Sequence, residues 1–235
     1  MAIMKHSTKI TLYNSYFDLN DNLTAKSILS IFQDVASIHA EQIGVGFKTM
    51  LEKNLYWVLS RVKFDILKMP EPNQTVVVET WPHQKGRIDF DRDFKILSEN
   101  GEQLVVGTSK WCVIDTINRG LQRTDNVNYV GEYCLDINYT DKFSKIMLPT
   151  DSYENQFVHT VSFSDLDHNQ HMNNTNYANL VLNATQSKTF KHFEINFVNE
   201  CKLGEQIKVL TTTNQNGEYV VGLVDEKTAF VAYLK

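Results

Sequence analysis

Between Asp165 and Tyr177 the chain concentrates acid, amide and imidazole groups, reading Asp165-Leu166-Asp167-His168-Asn169-Gln170-His171-Met172-Asn173-Asn174-Thr175-Asn176-Tyr177. An apolar-periodic segment follows at once, so these side chains stand where a helix begins, a common seat for proton-transfer chemistry. Residues of these types before a helix are also ordinary caps and turn formers. Further on, Glu200 and Cys201 close the run Phe197-Val198-Asn199-Glu200-Cys201. Glu200 alone reads as a strand-end charge. Cys201 with His171 and Asn169 offers a papain-like trio with a thiol nucleophile, although free Cys is commonly a small buried hydrophobe. His168, His171 and Asp167 suggest a metal, but the His-x-x-His spacing lacks a third well-spaced ligand, and no metal or other cofactor is assigned.

The elements that must hold these groups form a duplicated pattern. In the first half, Lys9 to Phe17 reads as a strand. Ala25, Ile28, Leu29, Phe32, Val35, Ala36 and His39/Ile43 then follow helical spacing, stopped by Gly44 and Gly46. Strand-like runs cover 55–67, 75–81, 88–97 and 104–115. Ile88, Phe90, Phe94 and Ile96 alternate with Asp89, Asp91, Asp93 and Lys95, which predicts one wet sheet face. Asn100-Gly101 predicts a tight hairpin. The second half repeats the order more compactly: a strand over 158–165, a helical stripe of Tyr177, Leu180, Val181 and Ala184, then strands over 193–201, 207–213, 219–224 and 229–234, with Asn216-Gly217 as a hairpin. The entry segments Phe17-Asp18-Leu19-Asn20 and Ser164-Asp165-Leu166-Asp167 look alike.

One helix followed by a meandering antiparallel sheet implies a sheet wrapped around a buried helix, the hotdog fold. The expectation is therefore α+β: a tandem double hotdog, with an N-terminal copy over 1–115, a connecting segment over 116–155 packed over the copies, and a C-terminal copy over 156–235. The copies differ where chemistry would sit. The first offers Asn20-Asp21-Asn22-Leu23-Thr24 before its helix, and its counterpart of the Glu-Cys strand, placed near 62–67, carries Lys63 and Asp65 instead. A single site in the C-terminal copy follows.

The Asp165–Tyr177 run resembles the D-x-N-x-H-x-N-N-x-x-Y signature of the fatty acyl–acyl carrier protein thioesterases, the plant enzymes and their bacterial relatives. The Phe197–Cys201 run looks like the family's strand ending in Glu-Cys. The resemblance extends over about residues 8–235, with these two segments sharp. It implies a double hotdog that hydrolyses the thioester of fatty acyl–acyl carrier protein, with chemistry in the C-terminal copy and acyl-chain binding in the N-terminal one. The alternatives are a coenzyme A thioesterase and a non-catalytic acyl-binding hotdog protein. Thioester hydrolysis needs an activated water or nucleophile, a polarised carbonyl and an apolar slot. Asn173 to Asn176 would form a helix N-terminus that stabilises the oxyanion. Glu200 would be the general base toward water, with direct carboxylate attack to form an anhydride as the alternative. By resemblance, Asn169 and His171 bind and orient the thioester or water. Asp167 fixes them or acts as the alternative carboxylate.

Composition bounds the rest. The 235 residues are 42% apolar and 22% charged, with net charge −5, which gives no reason to expect nucleic acid or an anionic membrane as partner. The three cysteines cannot all pair within one chain, which favours a reducing cytoplasm. The stretch 1–9 lacks an apolar run of signal-peptide length and the Ser- and Arg-rich transit segment of the plant enzymes, which favours a bacterial cytoplasmic protein. Lys85, Arg87 and Arg92 form a basic cluster in an acidic chain, read either as a solvated hairpin or as a docking patch for an acidic acyl carrier protein. A homodimer is admitted.

Overall fold

The computed structural model describes residues 4–149, 152–185 and 189–235. It divides into two compact units, the first ending at Phe143 and the second running from Ser144 to Lys235. Residues 1–3 of the N-terminal stretch, 150–151 of the connecting segment and 186–188 of the C-terminal copy lie outside the described residues.

The first unit comprises β1 (His6–Thr11), α1 (Ala25–Gln42), α2 (Phe47–Glu52), β2 (Leu55–Ile66), β3 (Thr75–Pro82), β4 (Phe90–Ser98) and β5 (Gln103–Asp115). Its strands form an antiparallel sheet in the order β1-β3-β4-β5-β2. Helix α1 begins because Thr24 is extended and its hydroxyl accepts the Ser27 N–H at 3.1 Å. It ends just before Gly44, whose φ of +76° suits a residue without Cβ. The buried stripe Ile28, Leu29, Phe32, Val35, Ala36 and His39 lies on the sheet. Phe32 stacks on Phe94 at 4.3 Å and meets Phe64 edge-on. Gly107 of β5 permits this approach, since a Cβ there would stand 2.3 Å from the Phe32 ring.

The outer face of this sheet departs from the expectation. Asp93 is 0% exposed rather than wet. The stretch after β5 covers it: Asn138 N donates to Asp93 Oδ2 at 2.7 Å, Tyr139 donates its hydroxyl to Asp65 Oδ2 at 2.5 Å, and Lys63 lies over the Tyr139 and Phe143 rings. Residues 116–143 thus pack onto the first unit.

The second unit comprises β6 (Glu154–Thr160), α3 (Asn174–Ala184), β7 (His192–Phe197), β8 (Gln206–Asn214), β9 (Gly217–Val224) and β10 (Lys227–Leu234). Its antiparallel order is β7-β10-β9-β8-β6, which reproduces the first unit strand for strand. Tyr177, Leu180, Val181 and Ala184 are all buried, and Tyr177 packs against Phe197 and Phe230 at 5.4 and 5.3 Å. Each unit is a helix on one antiparallel sheet, so the chain is a double hotdog.

Two elements differ from expectation for a local reason. The first strand of each unit ends earlier than the apolar pattern suggests, because a 3₁₀ turn intervenes at Asn14–Tyr16 and again at Phe163–Asp165. The second turn is fixed by a capping box, with Asp165 accepting from Ser162 N at 2.8 Å.

Candidate active site

The loop before α3 is built on Asp167. Its Oδ1 accepts the backbone N–H of Asn169 at 2.8 Å and of His171 at 3.4 Å, while its own N–H donates to His171 O at 2.8 Å. Gln170 takes the left-handed φ of +65° that closes the turn. Asn173 N donates to Asp165 O at 2.8 Å, and the Asn173 side chain caps α3 by accepting from Thr175 N at 2.9 Å. Burial works against ionisation of Asp165, but hydrogen bonds from Ser162 and His159 outweigh it and hold that carboxyl below its ordinary value. The helix N-terminus thus falls at Asn173–Asn174, within the stretch read from the sequence.

The Glu-Cys segment lies beside this loop. Met172 N donates to Cys201 O at 2.8 Å, and His171 forms a β-bridge with Lys202. These bonds bring His171 Nε2 to 3.2 Å from Glu200 Oε2, with both side chains partly buried, 15% and 30% exposed. Asp167, His171 and Glu200 are therefore gathered at the start of α3. Asn169 joins through its backbone and is itself exposed. Cys201 is 0% exposed. Burial raises its thiol above the ordinary value, although it shares a hydrogen bond with the Tyr177 hydroxyl, itself pushed up by burial. A thiol so placed resists becoming a thiolate. Tyr177 is a neighbour of the site that residue types alone leave unassigned, and its signal is its place in the signature.

The first unit carries the same loop, in a different register from the one the sequence suggested. Asp18 N donates to Asn22 O at 2.9 Å, and Asp18 Oδ1 accepts from Asn20 N and Asn22 N at 2.8 and 2.9 Å. Asp21 has φ +59°, and Thr24 N donates to Tyr16 O at 3.1 Å. Asp18 therefore matches Asp167, not Asp165, and Asn20 and Asn22 match Asn169 and His171. The strand ends correspond too. Leu67 N and Lys68 N both donate to Leu104 O, as Val198 N and Asn199 N both donate to Ala229 O. Met69 and Pro70 are therefore the first unit's counterparts of Glu200 and Cys201, which corrects the placement near 62–67. Leu23 N meets Met69 Sδ at 3.3 Å.

The basic cluster does not form one surface. Arg92 is 7% exposed, with Nη1 donating inward to Thr80 Oγ1 at 3.2 Å, so it is no docking residue: its strand position is in phase with Phe90 and Phe94 on the helix side. Lys85 Nζ donates to the carbonyls of Val127 and Thr124 at 2.9 and 3.2 Å. Arg87 is the exposed member. Among the described residues no group of His, Cys, Asp and Glu side chains could hold a metal ion, and no helix is long and apolar enough to cross a membrane.

Two hotdog units in one chain, with an acid, an imidazole and a second acid gathered at the start of the second helix, define a double-hotdog protein with one chemically equipped loop. The chain belongs to the acyl-ACP thioesterase family: residues 3–129 match its N-terminal domain and residues 149–228 its C-terminal domain. It is 29% identical over 227 residues to oleoyl-acyl carrier protein thioesterase 2, chloroplastic, of Arabidopsis thaliana, covering 86% of this chain and 61% of that protein. It is 28% identical over 236 residues to the oleoyl-acyl carrier protein thioesterase of Coriandrum sativum, covering 90% of this chain and 61% of that protein. The chain thus spans 61% of the length of these relatives. In structure it resembles an acyl-ACP thioesterase from Bacteroides thetaiotaomicron, with TM-score 0.86 at 21% identity over 98% of this chain and 97% of that one. It also resembles the 12:0-ACP thioesterase from Umbellularia californica, with TM-score 0.83 at 21% identity over 100% and 98%. These structural likenesses establish the fold.

Proposed function

We propose that the protein hydrolyses the thioester of fatty acyl–acyl carrier protein and releases a free fatty acid. The observation that carries this reading is the His171–Glu200 pair, 3.2 Å apart, which joins the loop that opens α3 to the segment after β7. Family membership supports the substrate class, and the acyl-carrier-protein names of the relatives point the same way. In this reading Glu200 takes the proton of the attacking water, and His171 holds Glu200 in place and orients the water. Asp167 fixes the loop through the N–H groups it accepts, and Asn169 faces the incoming thioester. The N-terminus of α3 stabilises the oxyanion as the tetrahedral intermediate forms. Cys201 packs and does not attack. The second unit carries the chemistry and the first is assigned the acyl chain. Three unpaired cysteines, Cys112, Cys134 and Cys201, fit a reducing cytoplasm.

The test is a panel of purified acyl carrier protein and coenzyme A thioesters of varied chain length, with release of thiol as readout. Turnover of the carrier-protein series supports the proposal. Turnover confined to the coenzyme A series would replace the substrate, and no turnover of either would leave an acyl-binding protein.

A further inference from the structure

Arg92 lies on the inner face of β4 between Phe90 and Phe94 and is nine-tenths buried. Its Nη1 donates to Thr80 Oγ1 at 3.2 Å and stands 3.0 Å from His39 Nδ1. His39, on α1, is 2% exposed. Burial, and then the charges of Arg92 and His6, hold its pKa down to about 3, so it meets Arg92 as a neutral acceptor and leaves the positive charge uncompensated. The strand neighbours Asp91 and Asp93 turn to the opposite face, to Lys110 and His83. No carboxylate among the described residues pairs with the guanidinium, and Nε and Nη2 have no hydrogen-bond partner among them. Next to it, His6 stacks on His39 at 6.0 Å with its Nε2 buried and unpartnered.

A guanidinium nine-tenths buried, with two nitrogens unpaired and no anion beside it among the described residues, offers an anion both charge and hydrogen-bond donors. The strand neighbours of Arg92 on its own face, Phe90 and Phe94, are aromatic and packed on further rings: Phe94 on Phe32 at 4.3 Å, and Phe90 on Trp57 at 4.9 Å and Tyr129 at 5.8 Å. An anion carried on an aliphatic chain suits these apolar surroundings. The geometry points to a carboxylate site in the first unit, centred on Arg92, that takes the carboxylate of a free fatty acid. The choice of a free fatty acid rests on the thioester-hydrolase reading, whose product it is. The carboxylate site itself rests only on the first unit.

The experiment titrates dodecanoate, and separately methyl dodecanoate, into the full chain, with tryptophan fluorescence and calorimetry as readouts. The two share a tail, and only the first carries a charge. The acid should bind on the order of ten- to a hundredfold more tightly than the ester, the range expected of hydrogen bonds to a charged group. Arg92→Met should abolish that preference, Arg92→Lys should keep part of it, and Glu200→Gln should leave it intact. Equal affinity for acid and ester in the unaltered chain would overturn the site without recourse to any variant. So would an undiminished preference in folded Arg92→Met. The same carboxylate could belong to the far end of a dicarboxylic acyl thioester. If Arg92 governs hydrolysis of such a half-thioester while free dodecanoate fails to bind, the free fatty acid is the wrong occupant. An inactive chain that prefers the acid would retain the site and lose the thioesterase reading, and an active chain with no preference would do the reverse.

Discussion

Asp18 and Asp167 do the same structural work in the two units, each carboxylate accepting the N–H groups two and four residues ahead and so folding the loop before a helix. What stands next to them differs. In the second unit the loop brings His171 to Glu200, an imidazole against a carboxylate. In the first, the same positions hold Asn22 and Met69, an amide and a thioether, with the Leu23 N–H on the sulfur. Neither can exchange a proton near neutral pH. The comparison separates scaffold from chemistry: the backbone bonds are common to both loops, and two side chains separate a loop able to move a proton from one that only caps a helix.

Substitutions made in pairs sharpen this contrast. The largest difference is expected between His171→Ala and Asn22→Ala. The first should lower kcat by about 10²–10⁴-fold, the range for losing a proton-transfer partner, and the second should leave it within a factor of about three. Steady-state kinetics on one acyl carrier protein thioester checks both. Asp167→Ala and Asp18→Ala come next. Each should cost about 1–2 kcal/mol of stability through lost hydrogen bonds to a carboxylate, read from urea midpoints, and only Asp167→Ala should also slow turnover. An equal fall in activity for both would break the comparison.

A pH-dependent effect concerns the buried polar group of the first unit. The folded-state pKa of His39 is lowered to about 3. The unfolded chain therefore binds a proton there that the folded chain refuses, and stability falls as pH drops from the ordinary histidine value toward 3. The slope is up to about 1.4 kcal/mol per pH unit. His39→Gln should flatten the decline in urea midpoint between about pH 6.5 and pH 4, and an unchanged slope would contradict the assignment. Smallest of all is Arg87→Glu, which should raise the carrier-protein KM by about twofold, because an exposed charge acts mainly on encounter. Lys85→Glu should instead cost stability, since its ammonium is held by two carbonyls.

Much of this was legible in the residues, and the failures are instructive. The α1 stripe, the succession of strand, helix and strands in both copies and the hairpins at Asn100-Gly101 and Asn216-Gly217 follow from spacing and turn chemistry, but the sheet is no simple meander, since β2 pairs with β5 and β7 with β10. The repeat register did not, because Asp-Leu occurs at both Asp18 and Asp165 and side-chain likeness favoured the wrong pair. Only the backbone hydrogen bonds align Asp18 with Asp167. Helix α2 is too short to show a period. Asp93 looked wet because alternation reports which side of a strand a residue faces, not what later chain covers it. Arg92 was misplaced although its position shares the phase of Phe90 and Phe94, so the pattern itself carried the signal and the charge distracted from it. The segments holding Asp167, Asn169, His171 and Glu200 stood out as residue types, but the contact between His171 and Glu200 depends on the bond from Met172 N to Cys201 O, which no sequence spacing shows.

Of the two loops, one meets a carboxylate–imidazole pair, Glu200 with His171. Turnover of an acyl carrier protein thioester by Glu200→Gln, compared with Met69→Leu at the matching position and with Cys201→Ala, tests the role of that pair most directly. Glu200→Gln should lose about 10²–10⁴-fold with the fold intact by circular dichroism, and the other two should keep near-normal turnover. Full activity in Glu200→Gln together with an inactive, folded Cys201→Ala would contradict that role and return the reaction to the thiol.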